Sequence, residues 1–411
     1  MNFASQLNQA VTRQDGTAAA KLLSITHADL SEFAHSTNAA MVTQTLGTKI
    51  KDPQWAEIAV AHWLVAVQVV IKQDLKEAYA AQNALLMSTN RAAEKTDNWI
   101  LPVLYTVAKE LRHLSILADK SAQNTSDKLE EATRTINRAF TLCLNDRNPV
   151  MDTSKKWGTY YFVGELFKIY FRLDKRPLAK SALKVLQSMT KDLPPLEEYP
   201  KSHQVTYLYY WGVLMFIDED YLVAEEKLER ALQLCHKKAH KNQEQILLYL
   251  LPIKVLKGFA VSKQVWKKFP RLAALYKDIL CAHKQGHFKR FDDAVEERRT
   301  VLVKKYVYLT MERLKLRTAY NLIKWTHDQS KTTRLSVALL RDLFNLSGFW
   351  TAQDSDDHKD KNHQQEDRMD EIEGIIATLI SSGKIKGYIS HERRTVVLSN
   401  KDPFPSQSQA H

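Results

Sequence analysis

The chain is 411 residues long, 44% hydrophobic and 26% charged, with only 11 Gly and 11 Pro. So few turn formers exclude an all-β sandwich or barrel, which needs a turn every ~8–12 residues. The 59 Lys and Arg against 47 Asp and Glu leave a net charge of +12, which favours acidic partners: nucleic acid, an anionic surface or an acidic protein.

The first residues, MNFASQLNQAVTRQDG, lack the basic start and apolar run of a secretory signal. WAEIAVAHWLVAVQVVIK (Trp55–Lys72) is apolar nearly all round and predicts a helix buried among others. Its longest apolar stretch, Ile58 to Ile71, is interrupted by His62 and Gln68 and falls short of the ~20 residues a bilayer requires. NWILPVLYTVAKELRHLSIL (Asn98–Leu117) predicts an amphipathic helix with Pro102 near its start, where a missing N–H costs least. A further helix spans KLEEATRTINRAFTLCLNDRNP (Lys128–Pro149), stopped by its Asn and Pro. The next starts at Thr153 or Ser154 and breaks at Pro177. Cys143, Cys235 and Cys281 lie far apart, without a CxxC pair, and read as buried, reduced thiols of a soluble intracellular protein.

In YYWGVLMFIDEDYLVAEEKLERALQLCHK, Gly212, Ala224, Leu228 and Ala231 fall at tetratricopeptide offsets, where small residues let paired helices approach closely. Residues 1 to about 190 read as more degenerate helix-pair repeats, with the best repeat at Tyr207–Lys237. A stacked array buries its apolar faces only against neighbours and so presents a long curved surface.

After about residue 325 the pattern changes. RLSVALLRDLFNLSG (Arg334–Gly348) is a short helix closed by Gly348. Residues 351–371 carry eight acidic and three basic side chains with hardly an apolar one, and predict a disordered insert. IEGIIATLISSG forms another helix ended by Gly383, and KIKGYIS and TVVLS flank HERR as a hairpin. Short helices followed by a hairpin are the order of a winged helix. The tail PFPSQSQAH reads as loose. The expected fold class is all-α: a TPR-like helical-repeat superhelix followed by a C-terminal winged helix with a small β-hairpin. The expected divisions are 1–200 for the repeats, 201–325 for further helices, 326–402 for the winged helix and 403–411 for the tail.

That architecture is similar to the PCI-domain proteins. NWILPVLYTVAKELR, NRAFTLCLNDRNP, SKKWGTYYFVGELFKIYFRLDK, LLYLLPIKVLKG and GKIKGYISHERRTVVLSNKDPFP resemble the PCI protein of the nuclear-pore-associated mRNA export complex and its fungal signalosome-labelled paralogue. The resemblance runs from about Asn98 to Pro405; the segment before it matches poorly, and the acidic insert is a departure. It implies a non-enzymatic subunit at the nuclear pore that pairs winged helix to winged helix with a larger PCI scaffold. A small, acidic, disordered protein of the proteasome-lid type clamps such folds, and the paired winged helices form a nucleic-acid platform coupling transcription to mRNA export. The alternative is a signalosome- or lid-type protein scaffold that does not bind nucleic acid.

The charge distribution is compatible with both. Lys254–Lys324 holds 18 Lys and Arg against six Asp and Glu, which equals the whole net excess. Arg298, Arg299, Lys304, Lys305, Arg313, Lys315, Arg317 and Lys324 follow along one or two helices, as a polyanion track or a solvated face. Lys384 and Lys386 alternate with Ile385 on the first hairpin strand, while His391, Arg393 and Arg394 sit at the wing tip with Lys401 just beyond. Such basic wings grip phosphates without reading sequence, or form the rim of a protein interface. No side-chain set suggests base readout.

HKKAHK (His236–Lys241) is a solvated loop, or, with Tyr207, Tyr210, Trp211, Lys237, Lys238 and Lys241, the seat of an extended acidic partner. The aromatic blocks TYLYYWG and TYYFVGELFKIYF read as core. No phosphate loop, HExxH, HxH or GxSxG motif occurs, so no catalytic residue, metal or cofactor is expected. His358 and His363 read as ordinary polar residues of the acidic insert.

Overall fold

The computed structural model describes residues 2–27, 30, 34, 39–122, 126–350 and 361–405. They form two compact units, Met1–Leu214 and Met215–His411.

In the first unit α1 (Asn2–Thr12), α2 (Gly16–Leu22) and α3 (Ala39–Lys49) precede α4 (Pro53–Ala66). The Asp52 carboxylate accepts from the backbone N–H groups of Gln54 and Trp55 at the start of α4, and Pro53 supplies a pre-set first turn. α4 runs on into a π-helical turn, Val67–Lys72. By length and composition Pro53–Lys72 is apolar enough to cross a bilayer. Trp55, Ile58, Ala59 and Val65 are nevertheless buried, and α4 packs on α5 (Leu75–Ala93), which is how a core helix behaves.

α6 (Leu101–Ser121) follows a 3-10 turn at Asn98–Ile100, with Pro102 in its first turn as the sequence requires. α7 (Asp127–Leu144) stops at Asn145. The next helix does not start at Thr153 or Ser154. Thr153 ends one 3-10 turn, Ser154 caps the next by accepting from Lys156 N, and α8 (Thr159–Arg172) begins five residues later than Ser154. Asp146 holds this junction: its carboxylate takes hydrogen bonds from Ser154 Oγ and Lys155 N and sits 3.1 Å from Lys155 Nζ. Pro177 is likewise a starter rather than a break, at the second position of α9 (Arg176–Ser188).

Each helix from α4 to α9 packs on its sequence neighbour, the stacking of a helical array. Leu85, Leu104, Leu111, Ile136, Phe162 and Phe167 form its dry interior. The aromatic blocks are core: Tyr160 and Tyr207 are buried with ring centroids 4.8 Å apart. α10 (Lys201–Ile217) contains the division between the two units, which lies later than the expected break at residue 200.

The second unit opens with α11 (Tyr221–Leu234), capped by Asp220, in which the small and large repeat positions Ala224, Leu228 and Ala231 are fully buried. α12 (His240–Leu256), α13 (Lys263–Lys268), α14 (Pro270–Gln285), α15 (Phe288–Glu297) and α16 (Arg299–Lys304) lead to the long α17 (Tyr308–Ser330). Then come β1 (Arg334–Ser336), α18 (Val337–Ser347), α19 (Lys361–Ser381), β2 (Gly387–Ser390) and β3 (Thr395–Leu398). The strands form an antiparallel sheet in the order β1–β3–β2, with Leu335 opposite Val396 and Tyr388 opposite Val397. This is the winged helix, with Gly348 closing α18 in the left-handed conformation at φ 79°.

Three sequence expectations change here. Residues 361–371 of the acidic insert are helical, part of α19, while 351–360 and the His358 reading lie outside the described residues, as does the His363 side chain. Glu, Gln, Asp and Arg continue a helix readily once Ile372, Ile376 and Leu379 anchor it in the core, and acidic residues suit its N-terminal half. The tail is docked at Phe404, whose ring meets Tyr320 and His327, and residues 406–411 lie outside the described set. Cys143 and Cys235 are buried as expected, but Cys281 is exposed.

Candidate assembly and nucleic-acid interface

The winged-helix core fixes everything that faces outward. Ala319 and Ile323 of α17 meet Leu340 and Phe344 of α18, Ile376 of α19 and Val396 of β3, all essentially without solvent contact. Phe288, from α15, belongs to the same core, so the unit reaches back well before residue 326. The wing turns at His391–Arg394, with Arg394 left-handed at φ 43° and its carbonyl accepting from Val337 N, which ties the wing tip to the start of α18.

On this frame about half of the basic residues singled out from the sequence meet carboxylates. Arg298 reaches Asp278 and Glu297, and Arg299 reaches Glu296. Arg313 pairs with Glu219 while its guanidinium lies over the Tyr221 ring. Lys315 Nζ sits 2.8 Å from Asp292. Farther back, Lys254 and Lys257 converge on Glu225. Arg317 is buried, stacked 5.1 Å from the Tyr320 ring centroid, and burial pushes its pKa down. A Cβ at Gly258, where φ is 93°, would fall onto that guanidinium, so the glycine makes room for it. Burial, then the Arg317 charge, also lowers the pKa of the half-buried Lys384.

At the wing, Lys386 lies 3.0 Å from Asp402 and just ahead of β2, not within a strand. His391 Nδ1 is 2.6 Å from Glu373, and Arg394 reaches both Asp370 and Glu373. The hydrogen bond to Asp370 is the main cause that raises Arg394 above the usual arginine range. Asp370, Glu373 and His391 bring ligand atoms within 4.8 Å of one another, but the Arg394 guanidinium shares that space and repels a cation. Lys304, Lys305, Lys324, Arg393 and Lys401 are exposed and make no ion pair among the described residues. The track read from sequence is therefore a mixture of ion pairs and five open cations.

The partner-binding residues fall in different places. Tyr207 is buried, while Tyr210 and Trp211 are half-buried beside Phe171 and Tyr207. Lys237, Lys238 and Lys241 belong to the second unit, exposed around the turn before α12.

Residues 288–400 match the PCI domain. Over 99% of both chains the protein is 38% identical to Protein CSN12 homolog of Yarrowia lipolytica. It is 33% identical to Protein CSN12 homolog of Schizosaccharomyces pombe over 98% of this chain and 96% of that one. Its identity to PCI domain-containing protein 2 of Xenopus laevis is 31%, over 99% and 97%. The chain belongs to the PCI-domain family.

The PCI match begins at the residue where the winged-helix core begins, Phe288. What sequence reasoning missed is the acidic half of the ion pairs: Glu219, Asp292, Asp370, Glu373 and Asp402. Asp370 and Glu373 did carry a signal, a spacing of three that places them on one face once α19 extends over the acidic run. Tyr388, 62% exposed on β2, was also passed over.

Proposed function

We propose that this PCI protein is a non-enzymatic scaffold subunit of the signalosome type, seating its winged helix against that of a larger PCI-domain subunit. The observation that carries this reading is the edge strand β2. In the order β1–β3–β2 it pairs only with β3, and its Tyr388 ring faces solvent. An edge strand with an exposed aromatic is a template for another chain, where main-chain bonds give affinity and the ring anchors it. The ion pairs of Arg298, Arg299, Arg313 and Lys315 agree, since paired charges form the rim of an interface better than a grip on phosphate. The relatives' names, CSN12 homolog and PCI domain-containing protein 2, support the same class.

Tyr388→Glu tests the interface. Because the ring is exposed, the variant should fold normally by circular dichroism, yet co-purify with a PCI-domain subunit at about one-tenth of the wild-type yield or less. Equal recovery with both proteins, or no PCI subunit with the wild type, would sink the proposal.

A second reading is favoured by Lys324, Arg393 and Lys401: a platform that contacts RNA or DNA without sequence preference, within a nuclear-pore mRNA export assembly. The exposed Lys237, Lys238 and Lys241 support an acidic lid-type partner on the same subunit.

A further inference from the structure

A cluster of open positive charge lies outside the winged helix, around the turn that leads into α12. Lys237, Lys238 and Lys241 are exposed there, as are Lys267 and Lys268 at the end of α13. Gln243 brings the two groups together. Its buried carboxamide donates through Nε2 to the carbonyl oxygens of His236 and Lys237, 3.1 and 3.4 Å away, and accepts from Lys268 Nζ at 3.0 Å through Oε1. One side chain thus fixes the turn against the end of α13, and holds these lysines within reach of a single ligand.

None of these ammonium groups makes an ion pair among the described residues. His236–Lys241 contains no acidic residue, and the first carboxylate after it is Glu244. The acidic residues Glu225 and Glu229 of α11 are held farther along α12 by Lys254 and Lys257. The like charges therefore repel one another until an anion sits among them. No side chain caps the 17-residue α12, so the N–H groups of its first turn add to the same positive field. The surface offers charge and little else. Among the described residues no large apolar side chain is exposed between Leu222 and Phe259, or between Phe259 and Val301. A single nucleic-acid strand stacks its bases on exposed rings and a peptide anchors apolar side chains, and this turn provides for neither.

We infer that this turn binds a compact polyphosphate, with Lys237, Lys238 and Lys268 on its oxygens and Lys241 and Lys267 at its edge. Each lysine supplies a point charge for one phosphate group, and adjacent phosphates engage several lysines at once. The inference goes beyond the readings above, the second of which gives Lys237, Lys238 and Lys241 to an acidic protein.

The test titrates the full chain at constant ionic strength with tripolyphosphate, orthophosphate or a hexaglutamate peptide, followed by calorimetry. Tripolyphosphate should bind one to one, at a half-saturating concentration about tenfold or more below that of either other probe, and more weakly as salt rises. Lys237→Ala/Lys238→Ala should raise that concentration about tenfold or more, whereas Lys237→Arg/Lys238→Arg keeps the charges and should retain binding. Both lysines are exposed, so each double variant should melt at the wild-type temperature without ligand. Lys49→Ala, on α3, should leave binding unchanged. No saturable binding of tripolyphosphate, or full binding by the alanine variant, would overturn the assignment. Equal affinity for hexaglutamate would overturn it too, and would give the turn to an acidic protein.

Discussion

Replacing Glu165 with Ala should destabilise the Met1–Leu214 unit by about 3 kcal/mol, the cost of breaking a buried ion pair and stranding its partner. The Glu165 side chain on α8 is 3% exposed, with Arg112 Nε from α6 and Lys168 Nζ each 2.5 Å from its oxygens. Arg112 is itself mostly buried, so losing the carboxylate leaves a guanidinium that water reaches poorly. Glu130→Ala is the control: its Lys175 partner is 40% exposed, and such surface pairs contribute about 0–1 kcal/mol. Urea unfolding, read by exchange of the α6 and α8 amides, separates the two. A loss for Glu165→Ala no larger than for Glu130→Ala would refute the argument.

The pH dependence gives an independent check. Burial alone would raise the Glu165 pKa, but Lys168 and Arg112 more than offset it and hold the carboxyl below the usual carboxylate range. A depressed folded-state pKa stabilises fully above the unfolded value of about 4.3, and that contribution fades as pH falls through the folded one. Wild type should therefore lose stability below about pH 4 more steeply than Glu165→Ala, and the two curves should converge in acid.

Much of the fold could be read locally because local physics determines it. Asp52 before Pro53 and Gly348 after α18 act within one turn of their helices, and the 3.6-residue apolar period of Leu129, Ala132, Ile136 and Phe140 is decided by α7 alone. The acidic run misled for the opposite reason. Composition weighs 351–371 as a block, whereas 361–371 is helical because the apolar residues after it are anchored in the core. The site was hardest to read because ion pairing is tertiary. Arg313 meets a glutamate 94 positions away, and Lys315 an aspartate 23 away. Counting charge along the chain locates the positive excess but not the carboxylates that face it.

That distinction makes the salt dependence of nucleic-acid binding decisive between the two functional readings. For a single strand, the logarithm of affinity falls with the logarithm of salt at about −0.7 per phosphate neutralised. If only Lys324, Arg393 and Lys401 contact phosphates, the slope is about −2, and affinity for an oligouridylate drops about 20-fold between 50 and 200 mM salt. Were all of Arg313, Lys315, Arg317, Lys324, Lys384, Lys386, His391, Arg393, Arg394 and Lys401 engaged, the slope would approach −7 and the drop about 10⁴-fold. The structure favours the shallow slope, because Arg317 is buried and Arg313, Lys315, Lys386, His391 and Arg394 face carboxylates. Arg393→Ala should flatten the slope by about 0.7 without touching the Tyr388 interface. Asp370→Asn should steepen it by a similar amount, since it weakens the hold on Arg394, half-buried at the same wing tip. A wild-type protein that binds no single strand at 50 mM salt leaves the scaffold reading alone, and a slope near −7 means that binding displaces the carboxylates seen here.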